Sequence, residues 1–310
     1  MPVPVTVATS ADAPVDFDAL IDLGISKPAR YLGNELGVKP RDWEADWQAV
    51  GVRWALTYPE VYEVGASNSG HIILYSILNA VPGQLCDRSY LPAPDLAARL
   101  RERGAPLFAV ESRRPLAAFD ILGFSLSYEL GGTNILEMLE LAGIPIRAAD
   151  RGDLPLAHPD APPLIFAGGP TATSNPEPFA AFFDFVALGD GEELLPEIGL
   201  VVAEARAAGH TRRQLLRDLA QVPGVYVPSL YGPGADGVSI EPLEPGAPGP
   251  DSAAHRHAHA PLRHGVGAPY RNRARQAHGR NSPRLHPRLP LLSAGDADSP
   301  CPRCGARSGH

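Results

Sequence analysis

The last sixty residues of this 310-residue chain contain no lysine and no glutamate, although they hold ten of its arginines and seven of its ten histidines. Soluble segments ordinarily mix Lys, Arg, Glu and Asp, so a segment missing half of that set is not ordinary folded surface. Cysteine is also scarce. Of three in the chain only Cys86 precedes residue 250, which excludes a disulfide scaffold and points to a reduced, cytoplasmic setting. No apolar run approaches the ~20 residues of a membrane span. Residues 1–10 lack the charged start and apolar core of a signal peptide. Residues 1–250 carry 17 Lys plus Arg against 32 Asp plus Glu. A body this acidic argues against nucleic acid as a partner.

The composition changes near Gly249. Arg, His, Pro, Ala and Gly dominate from there on, as in GC-rich coding DNA read out of frame. The stretch from Arg284 to Ser293 can be encoded by CGG CTG CAC CCG CGG CTG CCG CTT CTG TCA. Moved by one base, that DNA reads G-C-T-R-G-C-R-F-C, a Cys-x3-Cys-x2-Cys motif with cysteines at the codons of Leu285, Leu289 and Leu292. The expectation is a frameshift; the alternative is a disordered basic tail. Cys301-Pro302-Arg303-Cys304 is half of a zinc knuckle and cannot fill a tetrahedral site. The run from His255 to His259 binds metal only as any histidine cluster does.

What precedes the break alternates short apolar segments with amphipathic ones. Residues 1–17 read as a loose leader and residues 18–23 as a short helix. Strands are expected at 52–58, 107–110, 121–127, 145–148, 164–167 and 185–188. Helices are expected at 69–78, 96–103, from a Thr133 cap to a Gly143 stop, at 192–208 and at 211–219. This order predicts an α/β class with a doubly wound parallel sheet over residues 18–245. Ligands of such sheets sit beyond the carboxyl ends of the strands.

Three exits deserve notice on that ground. Ala167-Gly168-Gly169-Pro170 removes side chains where a flat ligand can approach the backbone, although a lone Gly-Gly-Pro is more often merely a tight turn. In Gly189-Asp190-Gly191-Glu192-Glu193, Asp190 and Glu193 have the spacing of a capping box, and three carboxylates there repel phosphate. A ligand at this exit would offer amide or hydroxyl donors. Phe124-Ser125-Leu126-Ser127-Tyr128-Glu129 supplies two hydroxyls and a carboxylate as a hydrogen-bonding rim. Residues 65–71 lack both the Lys of a Walker A loop and G-x-S-x-G order, excluding a P-loop ATPase and a hydrolase elbow. His71 reads as a partly buried structural histidine or as a ligand. The candidate binding residues are thus Ser125, Ser127, Gly168, Gly169, Gly189 and Gly191.

Residues 25–35, 58–65, 124–130, 142–145, 167–170, 175–178 and 189–193 together resemble the N-terminal region of a bacterial family of B12-binding-domain radical S-adenosylmethionine (SAM) proteins. The resemblance spans roughly residues 20–245. It implies a flavodoxin-like, cobalamin-binding-like domain followed by a radical SAM barrel. In such a barrel three cysteines and SAM share a [4Fe-4S] cluster, and reductive cleavage of SAM gives a 5′-deoxyadenosyl radical. The family's cluster segment is what the shifted frame yields from Arg284 onward, so the chain as translated is expected to be inactive. The D-x-H-x-x-G loop that supplies an axial histidine to cobalamin is absent; residues 60–70 stand there. Cobalamin without an axial histidine, held by Ser125, Ser127, Gly168 and Gly169, and an apo-like recognition domain are equally consistent with this departure. A free-standing small-ligand module and a protein-interaction domain with a genuine basic tail are the rival readings. Neither substrate nor reaction subtype follows from the resemblance.

Overall fold

The computed structural model describes residues 12–34, 38, 41–237, 239–245 and 247–248. The first eleven residues of the expected leader, and the whole tail from Gly249 with its Cys301–Cys304 pair and histidine run, lie outside the described residues. In chain order the elements are α1 (Phe17–Leu20), α2 (Trp43–Ala49), β1 (Val52–Tyr58), α3 (Tyr62–Gly65), α4 (Ser69–Leu78), β2 (Gln84–Tyr90), α5 (Pro94–Arg103), β3 (Ile121–Ser125) and α6 (Gly131–Leu141). They continue with β4 (Leu164–Gly168), α7 (Pro170–Ser174), β5 (Phe185–Ala187), α8 (Gly191–Ala207), α9 (Arg212–Leu219), β6 (Val225–Tyr226), β7 (Tyr231–Pro233) and β8 (Ile240–Pro242).

Six strands form one sheet in the order β2-β1-β3-β4-β5-β6, while β7 and β8 pair separately. The first five run parallel, and β6 joins antiparallel to β5. This is the flavodoxin-like order with one added antiparallel strand, as expected from the alternation of segments. The parallel strands are joined by helical crossovers, which in such sheets are right-handed as a rule; α4 packs on α8, and α5 on α6. Being covered on both faces, β1 reads Val-Arg-Trp-Ala-Leu-Thr-Tyr with every residue but Arg53 buried. No helix among the described residues is long and apolar enough to cross a membrane.

Local signals explain most helix boundaries. Asn68 accepts from the His71 amide at the start of α4, and Thr211 with Gln214 forms a full capping box on α9. Gly143, at φ 68°, ends α6 in the left-handed region that a side chain would strain.

Several expectations are corrected. Residues 107–110 form no strand: the chain reverses at Arg113, φ 59°, so Phe108 bridges only Pro115. Residues 145–148 form no strand either, because the chain enters a 3-10 turn at Ala148–Arg151 that delivers Arg151 to the core. The expected strand at 121–127 stops at Ser125. Thr133 does not cap α6; the N-cap is Leu130, to whose carbonyl the Thr133 hydroxyl donates. Asp190 does occupy the N-cap position of α8, but its side chain makes no capping bond, so the capping box with Glu193 is not formed.

Among the described residues, four strands were missed in the sequence, the short β6, β7 and β8 and the long β2. The residues of β2, Gln-Leu-Cys-Asp-Arg-Ser-Tyr, are all buried despite four polar side chains. Each has a built partner. Gln84 accepts from the Trp54 indole at 2.9 Å and donates to the Pro196 carbonyl at 3.1 Å. Asp87 accepts the amides of Arg88 and Ser112, Arg88 pairs with Glu111 at 3.1 Å, and Ser89 donates to the Phe108 carbonyl at 3.0 Å. Burial of polar groups at no net loss requires such pairing.

Candidate functional site

Five parallel strands deliver their carboxyl ends to one edge, and the order reverses between β1 and β3, which is where ligands of such sheets bind. Ser125 and Gly168 are register partners across β3 and β4, and Gly168 pairs in turn with Ala187 of β5. The Leu126 amide donates to the Gly168 carbonyl at 2.8 Å, and the Thr171 amide to that of Leu126 at 3.2 Å, closing the two exits against each other. Ser125, Ser127, Gly168, Gly169 and Gly189 all lie half-buried along this edge.

The glycines differ in their reasons. Gly169 has φ 105°, and a Cβ there would stand 3.0 Å from the Leu126 carbonyl oxygen, so the backbone itself demands glycine. Gly189, at φ 95°, is likewise conformational; its amide donates to the Thr173 hydroxyl at 3.3 Å. At Gly168 the nearest atom to an added Cβ is the Ala187 carbonyl oxygen at 3.6 Å, an ordinary contact. Neither conformation nor packing therefore requires glycine at position 168. Gly191 belongs to helix packing: a Cβ would meet Leu74 of α4 at 2.9 Å. Of the six residues chosen from the sequence, the structure brings five together and assigns Gly191 to the α4–α8 contact.

The β1 side of the crevice was not foreseen. The Tyr58 hydroxyl, at the end of β1, lies 3.4 Å from both Ser127 Oγ and Asn68 Nδ2. Glu60 accepts from Tyr128 and from Asn134, and the Asn134 amide also donates to the Pro59 carbonyl at 2.8 Å. His71 is fully buried rather than partly so, at 2% exposure. Its ring stands 5.7 Å from that of Tyr58 and 5.6 Å from that of Tyr90. Its Nε2 has no hydrogen-bond partner. Burial first, and the Arg88 guanidinium second, push its pKa down to about 3, so it is neutral under ordinary conditions. Of this group the sequence singled out His71, within the segment 65–71, and Tyr128, within the rim after β3; Tyr58, Glu60 and Asn134 were not singled out.

Around the crevice the exposed charges at the strand exits are acidic: Glu129 after β3, and Asp190, Glu192 and Glu193 after β5. The arrangement accepts hydrogen bonds and repels phosphate. The described residues do not fit an iron–sulfur cluster. Cys86, the one cysteine among them, is fully buried, and desolvation followed by the neighbouring Asp87 carboxylate pushes its thiol well above the usual range, away from the thiolate that ligates iron. No group of three or more His, Cys, Asp or Glu among the described residues is placed to hold a metal ion.

A family profile described as "Radical SAM proteins, N-terminal" matches residues 70–228, half of the chain and most of the sheet described above. The chain belongs to that family. Among solved structures, this radical SAM N-terminal region is similar to the radical SAM methyltransferase TsrM from Kitasatospora setae, determined with its tryptophan substrate and the SAM analogue aza-SAM bound. Identity is 16%, coverage is 63% of this chain but only 31% of that one, and the TM-score is 0.32. No curated protein matches.

Proposed function

We propose that residues 18–245 are the ligand-binding N-terminal module of a radical SAM protein and that the module holds a flat, amide-rich ligand of the cobalamin type. The observation that carries the reading is the side-chain-free exit of β4, where Gly168 and Gly169 lie beside Ser125 and Ser127 of the β3 exit, which borders the reversal of strand order between β1 and β3. Ser125 and Ser127 would hydrogen-bond the ligand's amides, and Gly168, Gly169 and Gly189 would leave room for its plane. His71 is 2% exposed and packed against the rings of Tyr58 and Tyr90, so it is not presented to a ligand at this edge, and the fit is to cobalamin without an axial protein histidine. When bound, cobalamin supplies cobalt-centred alkyl or electron transfer. This chain's residues bind and orient it.

The same reading assigns the [4Fe-4S] cluster and SAM to a barrel that the shifted frame would encode, beginning at the codons of Leu285, Leu289 and Leu292. The polypeptide as translated therefore lacks SAM cleavage. Sequencing the gene through codon 310 checks this: continuation of the shifted frame into a barrel is expected, and a stop codon soon after the motif in that frame would refute it.

Titration with hydroxocobalamin and methylcobalamin, followed by visible absorbance, tests the binding reading. A saturable spectral change is expected in the parent chain and its loss in Gly168→Trp. Far-UV dichroism of that variant checks that the fold is kept, and Gly168→Ala, whose Cβ meets only ordinary contacts, is the conservative control. No change with either cobalamin overturns the cobalamin assignment. A second reading, a free-standing module for another donor-rich small molecule, is favoured by the acidic rim and would be left standing by that outcome.

A further inference from the structure

The outer edge of β2 is closed by the turn over residues 107–116 rather than by another strand. The Val110 amide donates to the Arg88 carbonyl at 2.9 Å, and the amides of Glu111 and Ser112 donate to the Asp87 carboxylate at 3.2 and 2.8 Å. Glu111 enters the same cluster: Arg88 donates to its Oε1 at 3.1 Å and the Tyr75 hydroxyl to its Oε2 at 3.0 Å. The Glu111 side chain is only 3% exposed, that of Arg88 5%, and Asp87 is wholly buried.

Two carboxylates and one guanidinium thus lie buried in one cluster, Glu111 paired with Arg88 and Asp87 held by backbone amides. Fully ionised, the three side chains carry a net buried negative charge, which a single proton removes. Three backbone amides, those of Arg88, Glu111 and Ser112, already stabilise ionised Asp87, so the proton resides chiefly on Glu111. The other groups facing the pair are Cys86 and Arg88 from β2, with the Tyr90 hydroxyl accepting from Arg88 at 3.5 Å, Tyr75 from α4 with His71 beyond Arg88, and Ser112 from the turn. Gly33 of the N-terminal segment packs on Glu111. Arg113 and Arg114 turn away, to the rings of Phe17 and Trp47.

We propose that the turn over residues 107–116 is a pH-sensitive clasp, closed while Asp87 and Glu111 share one proton and released when that proton is lost. Burial, then repulsion from Asp87, raises Glu111 to about 7, which puts the release near neutrality. Because the closed-state value lies above the ordinary glutamate value, the clasp is most stable below about pH 4.5. It weakens as pH rises through 7, by about tenfold in the opening constant per pH unit in between. Release bares the edge of β2, an unpaired row of donors and acceptors.

Hydrogen–deuterium exchange of the full chain, read on peptides covering residues 107–116 and corrected for intrinsic rates, tests this. Protection is expected to fall about tenfold per unit from pH 5 to 7 in the parent chain and to be flat in Glu111→Gln. A pH-independent parent, or an unchanged slope in Glu111→Gln, overturns the proposal. If Glu111→Gln fails to fold, Tyr75→Phe carries the test: it removes a donor to the ionised carboxylate and should move the midpoint to higher pH. An unmoved midpoint there overturns the proposal as well.

Discussion

Replacing Asp184 by alanine is expected to cost about 3–5 kcal/mol, enough to unfold a marginal domain. Asp184, 2% exposed, sits at the amino end of β5 between two buried guanidiniums, 2.9 Å from Arg151 and 2.9 Å from Arg212. Its Oδ2 also accepts the Ile165 amide at 2.7 Å. Arg151 has no exposed side-chain surface, and it donates further to the carbonyls of Pro145, Ile146 and Phe182. Desolvation outweighs the Asp184 attraction in lowering its pKa. Without the carboxylate both cations would be buried unpaired, a larger penalty than the pair itself contributes. Urea denaturation should show the midpoint falling at nearly constant slope. Asp184→Asn, which keeps an acceptor for Ile165, should recover part of the loss. A cost below about 1 kcal/mol for Asp184→Ala would mean that water reaches the guanidiniums.

Trp54→Ala is expected to be of similar size, about 3–5 kcal/mol. Trp54 is fully buried at the centre of β1, edge-on to Phe166 at 6.1 Å. Phe166 in turn stacks on Phe185 at 5.0 Å, so one aromatic row crosses β1, β4 and β5. The indole also donates to Gln84, whose amide reaches across to Pro196 of α8. Glycine at 199 is part of this arrangement, since an added Cβ would collide with the Gln84 carboxamide. Trp54→Ala therefore opens a cavity and leaves Gln84 Oε1 without its donor. Trp54→Phe refills most of the space and isolates the second effect, about 1–3 kcal/mol. Thermal unfolding of the two variants separates the terms, and equal losses in both would show that the hydrogen bond, not the cavity, dominates.

Much of the scaffold could be read from residue order because it rests on local rules. The bounds expected for β1 and α4 are those observed, since an apolar run ended by Pro59 and an Asn68 cap act within a few residues. β2 could not be read this way. Asp87 and Arg88 look like a solvated turn until Glu111 and Ser112, more than twenty residues on, fold back to satisfy them. The failed strand at 107–110 has the same origin, because its apolar residues cover an edge instead of extending one. At the site, glycine exits were visible as glycines, but the sequence did not separate Gly191, needed for packing against Leu74, from Gly169, needed by its backbone.

The order of the chain by itself determined the alternating α/β plan, the acidic body, the break in composition near Gly249 and the glycine exits of β4 and β5. These are properties of composition and of periods of two to four residues, set by the chain's own stereochemistry. Only the tertiary structure decided that Tyr58 meets Ser127, that His71 is sealed and neutral, and that Glu111 pairs with Arg88 beside buried Asp87. Those pairings join residues far apart in sequence, and they arise from the strand order β2-β1-β3, which packing and crossover handedness impose on the whole sheet.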